Sequence, residues 1–136
     1  MQPHRILVIA NDTADDAGVL ELTAGHGEGR ATEVLVVAPA LAGRLDYWAG
    51  DDRRARQAAE ERLDRLLDAL GRRGFAVTGW VGDPDPLLAI ADALALFAAD
   101  EIIVATSPAP RQNWLARNVV GRARERFERP VHGLAA

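Results

Sequence analysis

The chain contains neither cysteine nor lysine. Without cysteine, disulfides, thiolate zinc sites and cysteine nucleophiles are excluded. Without lysine there is no Walker-type phosphate lysine and no Schiff-base chemistry. All sixteen basic residues are arginine, a uniformity that points to a biased genome and deprives any single arginine of special meaning. Aromatic residues make up only 5% of the chain. No serine stands in a G-x-S-x-G context, and no serine–histidine pairing is visible. No apolar run approaches the ~20 residues of a membrane span. The opening MQPHRILVIAND lacks an apolar signal segment with a cleavage site. A net charge of −4 argues against a general nucleic-acid binder. The expectation is a cytoplasmic protein with neither a nucleic-acid nor a membrane partner.

What is present is a chain of 136 residues, 49% of them apolar, which fits one domain over 1–136 with a single sizeable core. Short β-branched runs at 5–10 (RILVIA), 33–38 (EVLVVA), 75–81 (FAVTGWV), 101–105 (EIIVA) and 131–134 (VHGL) read as strands. Between them the pattern is helical. Residues 14–24 predict a short, weak helix with Val19, Leu20 and Thr23 on one side. GHGEG, residues 25–29, follows a helix and precedes a strand, the reverse of a dinucleotide fingerprint, and reads as a flexible turn. The strongest helix begins at Asp51 or Asp52 and carries Ala55, Ala59, Leu63, Leu66, Leu67 and Leu70 as its apolar stripe, with charged residues on the other face. Gly71 and Gly74 bracket its end. GDPDP, residues 82–86, turns into a helix with Asp85 as N-cap and Pro86 at the first position. Leu87 to Ala98 is nearly all apolar, which predicts a deeply packed helix. Asn113 is placed to cap the last helix, whose inner stripe is Leu115, Val119, Ala123 and Phe127, and Pro130 stops it.

Strands alternating with helices need crossover connections, hence a three-layer α/β domain with five mostly parallel strands and helices on both faces. Ligands in such sheets bind beyond the carboxyl ends of the strands, at the switch point. That places candidate ligand-binding residues at four junctions: 10–13, 38–41, 81–84 and 105–113.

RILVIAND, VLVVAPAL, VGDPDPLLAIADAL and DEIIVATSPAPRQNWLARNVVGRARERFERPV together resemble the universal stress protein family over nearly the whole chain. Within that family the chain resembles an actinobacterial-type branch with a "SNWLE"-like segment, here Gln112-Asn113-Trp114-Leu115-Ala116. The resemblance implies a Rossmann-like sheet with strand order 3-2-1-4-5, ATP binding in many members and dimerisation through the last strand. It also implies a glycine motif after the fourth strand: Gly, two residues, Gly, nine residues, Gly, then Ser or Thr. Here those positions hold Ala105, Pro108, Asn118 and Val119, and none matches. An aspartate common after the first strand falls at Asn11, with Asp12 adjacent.

Glycines let backbone N–H groups approach phosphate oxygens, and proline has no N–H to donate. Pro108 and Pro110 therefore stiffen the loop and remove two donors. Thr106, Ser107, Arg111, Asn113, Arg117 and Asn118 remain on the fourth junction as candidates for a smaller anion, ATP/AMP in another pose, or phosphate. Asn11, Asp12, Val81 and Gly82 complete the candidate set. Ser107 and Asn113 equally serve as turn caps, and the arginines as solvated surface. The reading is a non-catalytic stress or regulatory protein, with no cofactor required, that acts through homodimerisation by the C-terminal strand and through partner binding. The alternative is an adenine-nucleotide or small-anion sensor at the carboxyl edge of the first and fourth strands. A hydrolase or transferase is disfavoured because no nucleophile, base and orienter are recognisable together.

Other residues admit two readings each. Asp83 and Asp85 suit a metal or acid/base role, or simple turn and cap chemistry. His4, His26 and His132 share no ligand spacing, so no metal site is expected. His26 reads as solvent-exposed in its glycine turn, and His132 as packed or at an interface. Trp48, Trp80 and Trp114 could line a base-stacking cleft or make core and dimer contacts.

Overall fold

The computed structural model describes residues 3–10, 16–27, 31–39, 52–83, 85–106 and 110–135. The side chains of residues 16, 52, 55, 106, 110–118, 134 and 135 lie outside that description. In chain order the elements are β1 (His4–Ala10), α1 (Asp16–Gly27), β2 (Thr32–Pro39), α2 (Asp52–Arg72), β3 (Ala76–Gly82), α3 (Pro86–Leu96), β4 (Glu101–Thr106), α4 (Pro110–Phe127) and β5 (Val131–Ala135). The five strands form one parallel sheet in the order β3-β2-β1-β4-β5, as expected. Among the described residues no helix is long and apolar enough to cross a membrane.

The central strands β1, β2 and β4 are apolar on both faces, and both faces are covered. Alternation divides them: Ile6, Val8, Val34, Val36 and Ile103 pack against Val19 of α1 and Ala59, Leu63, Leu66 and Leu70 of α2. Leu7, Ile9, Leu35, Val37, Ile102 and Val104 pack on the other side against Ala89, Ile90 and Ala93 of α3 and Val120 and Ala123 of α4. The most buried strand is β1, in the centre, where every residue from Ile6 to Ala10 is fully enclosed.

Local signals set several boundaries. Asp85 is extended, and its side chain accepts from the N–H of Leu87, with Pro86 next in line. At the end of α2, Gly74 takes φ +94°, its N–H donates to Gly71 O at 3.0 Å, and Phe75 N donates to Leu70 O at 3.3 Å. That pair of bonds is a Schellman closure, and it needs a residue tolerant of left-handed backbone at position 74. On β3, a Cβ at Gly79 would lie 2.4 Å from Val36 O and 2.7 Å from Leu63 Cδ1. The missing side chain lets α2 settle onto the sheet.

Three expectations are corrected. The first helix does not stop at residue 24: α1 runs on through Gly25 and His26 to Gly27. Its end is held by Thr32 Oγ1, which donates to Gly27 O at 3.3 Å, so the glycine-rich stretch opens as helix. The third helix is not deeply packed all round. Ala89, Ile90 and Ala93 are buried, but Leu88 is 43% and Leu96 80% exposed, since the helix lays only one face on the sheet. The last helix begins at Pro110 rather than near Asn113, with the proline at its first position, where a missing N–H costs no intrahelical bond.

Candidate functional site

The crossovers leave β1 toward β2 on one side and reach β4 on the other, so the strand order reverses between β1 and β4. A crevice in an open α/β sheet lies beyond the carboxyl ends at that point. Ala10 and Ala105 pair there, and Pro39 pairs with Gly82 one strand further along. Val81 pairs with Ala38 and packs its side chain partly into the core beneath α2. A Cβ at Gly82 would meet Val37 Cγ1 at 2.6 Å and the Ala89 side chain at 3.3 Å. The absent side chain at Gly82 thus makes room for α3. Thr106 ends β4, and Arg111, Asn113, Arg117 and Asn118 all lie on α4. Asn113 sits inside the first turn of that helix and is not its cap. Asn11, Asp12 and Ser107 lie outside the described residues, as do Trp48 and the Trp114 side chain, while Trp80 packs against the core on the α3 side. The two acids of GDPDP are engaged locally: Asp83 Oδ1 accepts from Asp85 N at 2.9 Å, and Asp85 Oδ1 accepts from Leu87 N at 3.0 Å.

One residue at this edge was not anticipated. Arg62, on α2, is only 4% exposed. Its Nε donates to Ala10 O at 3.3 Å and its Nη2 to Pro39 O at 3.1 Å. The guanidinium fork thus joins the last carbonyls of β1 and β2.

The opposite, amino edge gathers the residues that linear spacing kept apart. In a parallel sheet every strand starts at the same edge. His4 begins β1, Glu101 begins β4 and His132 is the second residue of β5. The helix α1 returns to that edge and delivers His26 in its last turn. Glu101 has a side chain only 10% exposed, and its Oε1 receives His26 Nδ1 at 2.8 Å and His132 Nε2 at 2.9 Å. Its Oε2 is engaged by His4 Nε2. The His26 and His132 rings stack with centroids 4.2 Å apart. His4 Nδ1 faces Asp100 Oδ2 at 3.5 Å, and that oxygen also accepts Arg5 N at 2.9 Å. His26 is therefore not a free solvent-exposed turn residue, and all three histidines converge on one buried carboxylate. Beside His26, the ends of α1 and α2 and the starts of β2 and β3 leave an open depression of about 340 Å³, with Phe75 and Arg73 among its lining residues.

An open, doubly wound parallel domain with this strand order is an α/β fold of the kind whose ligands, where bound, sit at a switch point. Its fold is that of the universal stress proteins. Three solved structures are similar over nearly their whole length. The hypothetical protein MJ0577 superposes with a TM-score of 0.72 at 15% identity, covering 100% of this chain and 98% of its own. The universal stress protein from Archaeoglobus fulgidus gives 0.65 at 21% identity, with 96% and 92% covered. A universal stress protein family protein from Arabidopsis thaliana with AMP bound gives 0.59 at 18% identity, with 98% and 92% covered. Compared by sequence, the chain matches no family model and no curated protein.

Proposed function

We propose that this chain is a non-catalytic regulatory protein of the universal stress protein kind, which does not wrap ATP in the family's manner and acts by pairing with a second copy and binding a protein partner. The observation that carries the reading is the entrance between β4 and α4. Ala105, Pro108, Asn118 and Val119 stand where the resemblance calls for three glycines and a hydroxyl residue, and two prolines withhold amide donors from a triphosphate. The edge position of β5 supports self-association, because an unpaired strand edge is a template for another chain. The test combines light scattering with calorimetric titration of ATP. A dimer at micromolar protein with no heat from ATP is the expected result; a monomer counts against the pairing, and tight ATP binding against the whole reading.

A second reading is favoured by the bound AMP of the Arabidopsis structure: a nucleotide-monophosphate or small-anion sensor at the carboxyl edge of β1 and β4. The N-terminus of α4 supplies the positive end of an 18-residue helix there, worth about 0.3–1 kcal/mol to an anion. Saturable AMP or phosphate binding without turnover would select this reading over the first.

A further inference from the structure

We propose that His26, Glu101 and His132 form a binding site for a divalent transition-metal ion, zinc foremost, with His4 as the residue that positions the carboxylate. The site lies at the amino edge of the sheet, away from the crevice, and does not depend on whether a nucleotide binds there.

The donor atoms are already assembled. One nitrogen from each of His26 and His132 and one oxygen of Glu101 all lie within 4.8 Å of one another. Both nitrogens address the same oxygen, at 2.8 and 2.9 Å. A tetrahedral zinc with bonds of about 2.0–2.1 Å holds its ligand atoms roughly 3.3 Å apart. Entry of the ion therefore asks these nitrogen–oxygen pairs to part by about half an ångström, and the two nitrogens, already within 4.8 Å, to take up the same spacing. Without a metal, two stacked imidazoles must both donate an N–H to one oxygen. An ion takes the place of those protons and lets each ring present a lone pair instead.

The donor set selects the metal class. Two imidazoles and one carboxylate suit zinc, and after it cobalt, nickel or copper, whereas magnesium and calcium prefer sites made of oxygen alone. Three protein ligands leave a fourth position for water or an outside group. The geometry leaves room on that side: the His26 and His132 side chains are 30% and 33% exposed, whereas Glu101 is nearly enclosed.

The ligands are also held from behind. His4 fixes the second carboxylate oxygen, and Asp100, itself tied to the backbone of Arg5, stands at the other side of the His4 ring. Such outer partners orient a ligand and raise its affinity for metal. The three ligands come from α1, β4 and β5, so a bound ion would tie the first helix to the last strand.

The test uses untagged, chelator-treated full-length protein titrated with zinc by calorimetry. One zinc per chain is expected, with Tm raised by roughly 5–10 °C at a hundredfold excess over Kd. His26→Ala and His132→Ala should each abolish the Tm response, and His4→Gln should keep the stoichiometry but weaken binding about 10–100-fold. Should the alanine variants fail to fold, histidine side-chain NMR of the unaltered protein decides: zinc must shift the ring signals of His26 and His132. Absence of binding at millimolar zinc, binding unchanged in the His26→Gln/His132→Gln double variant, or ring signals that do not respond would each overturn the site and leave a purely hydrogen-bonded cluster.

Discussion

Arg62 carries a charge into the packed side of a helix whose polar positions otherwise face water. It is tolerated there because the guanidinium donates to Ala10 O and Pro39 O, the last carbonyls of β1 and β2. Removing those donors leaves two buried acceptors exposed to the full cost of desolvation. Arg62→Ala should therefore lower unfolding free energy by about 2–4 kcal/mol, read from the urea midpoint at unchanged slope. Arg62→Lys should recover only part of this, because a single ammonium cannot bridge two carbonyls as a planar fork does; full recovery would show that charge alone matters. Helical spacing places Arg62 beside the apolar stripe of α2, three residues after Ala59 and four before Leu66, but periodicity counts faces and does not see the strand ends that a guanidinium there would meet. The histidines were obscured for a related reason. His4, His26 and His132 are separated by 22 and 106 residues, and ligand spacing along a chain is informative only within one element or loop. The parallel topology already contained the answer: three of the four converging residues lie within two positions of a strand's first residue.

Among the elements, those with a stereochemical stop were readable and those ended by tertiary contact were not. Asp85 and Pro86 announce α3, and Gly74 closes α2 with the only described glycine at positive φ. Replacing the cap, Asp85→Ala, should cost about 1 kcal/mol, seen as a lower Tm with native far-UV spectrum. The extension of α1 through Gly25 and His26 has no local signal, because glycine disfavours a helix interior. What holds that last turn is its docking on Thr32 and Glu101. The packing of α2 on β3 gives a sharper test. A methyl group at Gly79 would enter the space of Val36 O and Leu63 Cδ1, and neither a backbone carbonyl nor a core leucine can move far. Gly79→Ala should destabilise by about 1–3 kcal/mol, although alanine usually stabilises a strand relative to glycine. A stabilised variant would mean that α2 sits further from the sheet.

For the molecule as a whole, the order of layers and strands followed from alternation of helix and strand together with the resemblance, and so did the point between β1 and β4 where that order reverses. The connecting segments at that edge were not legible in the sequence, because no periodic pattern governs such segments. The sheet also has two unlike edges. Along β3 the side chains are exposed or half-buried, and its outer row of backbone groups faces away from the sheet. On β5, Pro130 O already serves Ile102 N, so by the alternation of a parallel ladder the Val131 carbonyl faces away from β4. Arg124 takes that carbonyl with Nε at 2.9 Å and Nη2 at 2.7 Å. The start of the β5 edge is thus closed by a side chain, and pairing with a second copy has only the stretch from Gly133 onward. Hydrogen exchange followed over a series of protein concentrations separates the two edges. Amides of Ile6–Ile9, Val34–Val37 and Ile102–Val104 should exchange only through global unfolding, because these residues are buried at the centre of the sheet. Amides of β3 should exchange faster and at a rate independent of concentration. If self-association proceeds through β5, the amide of Gly133 should gain protection as protein concentration rises while that of Val131 gains less, since the bond from Arg124 hinders a second strand at that point. Equal, concentration-independent exchange on both edges would remove β5 as the pairing surface.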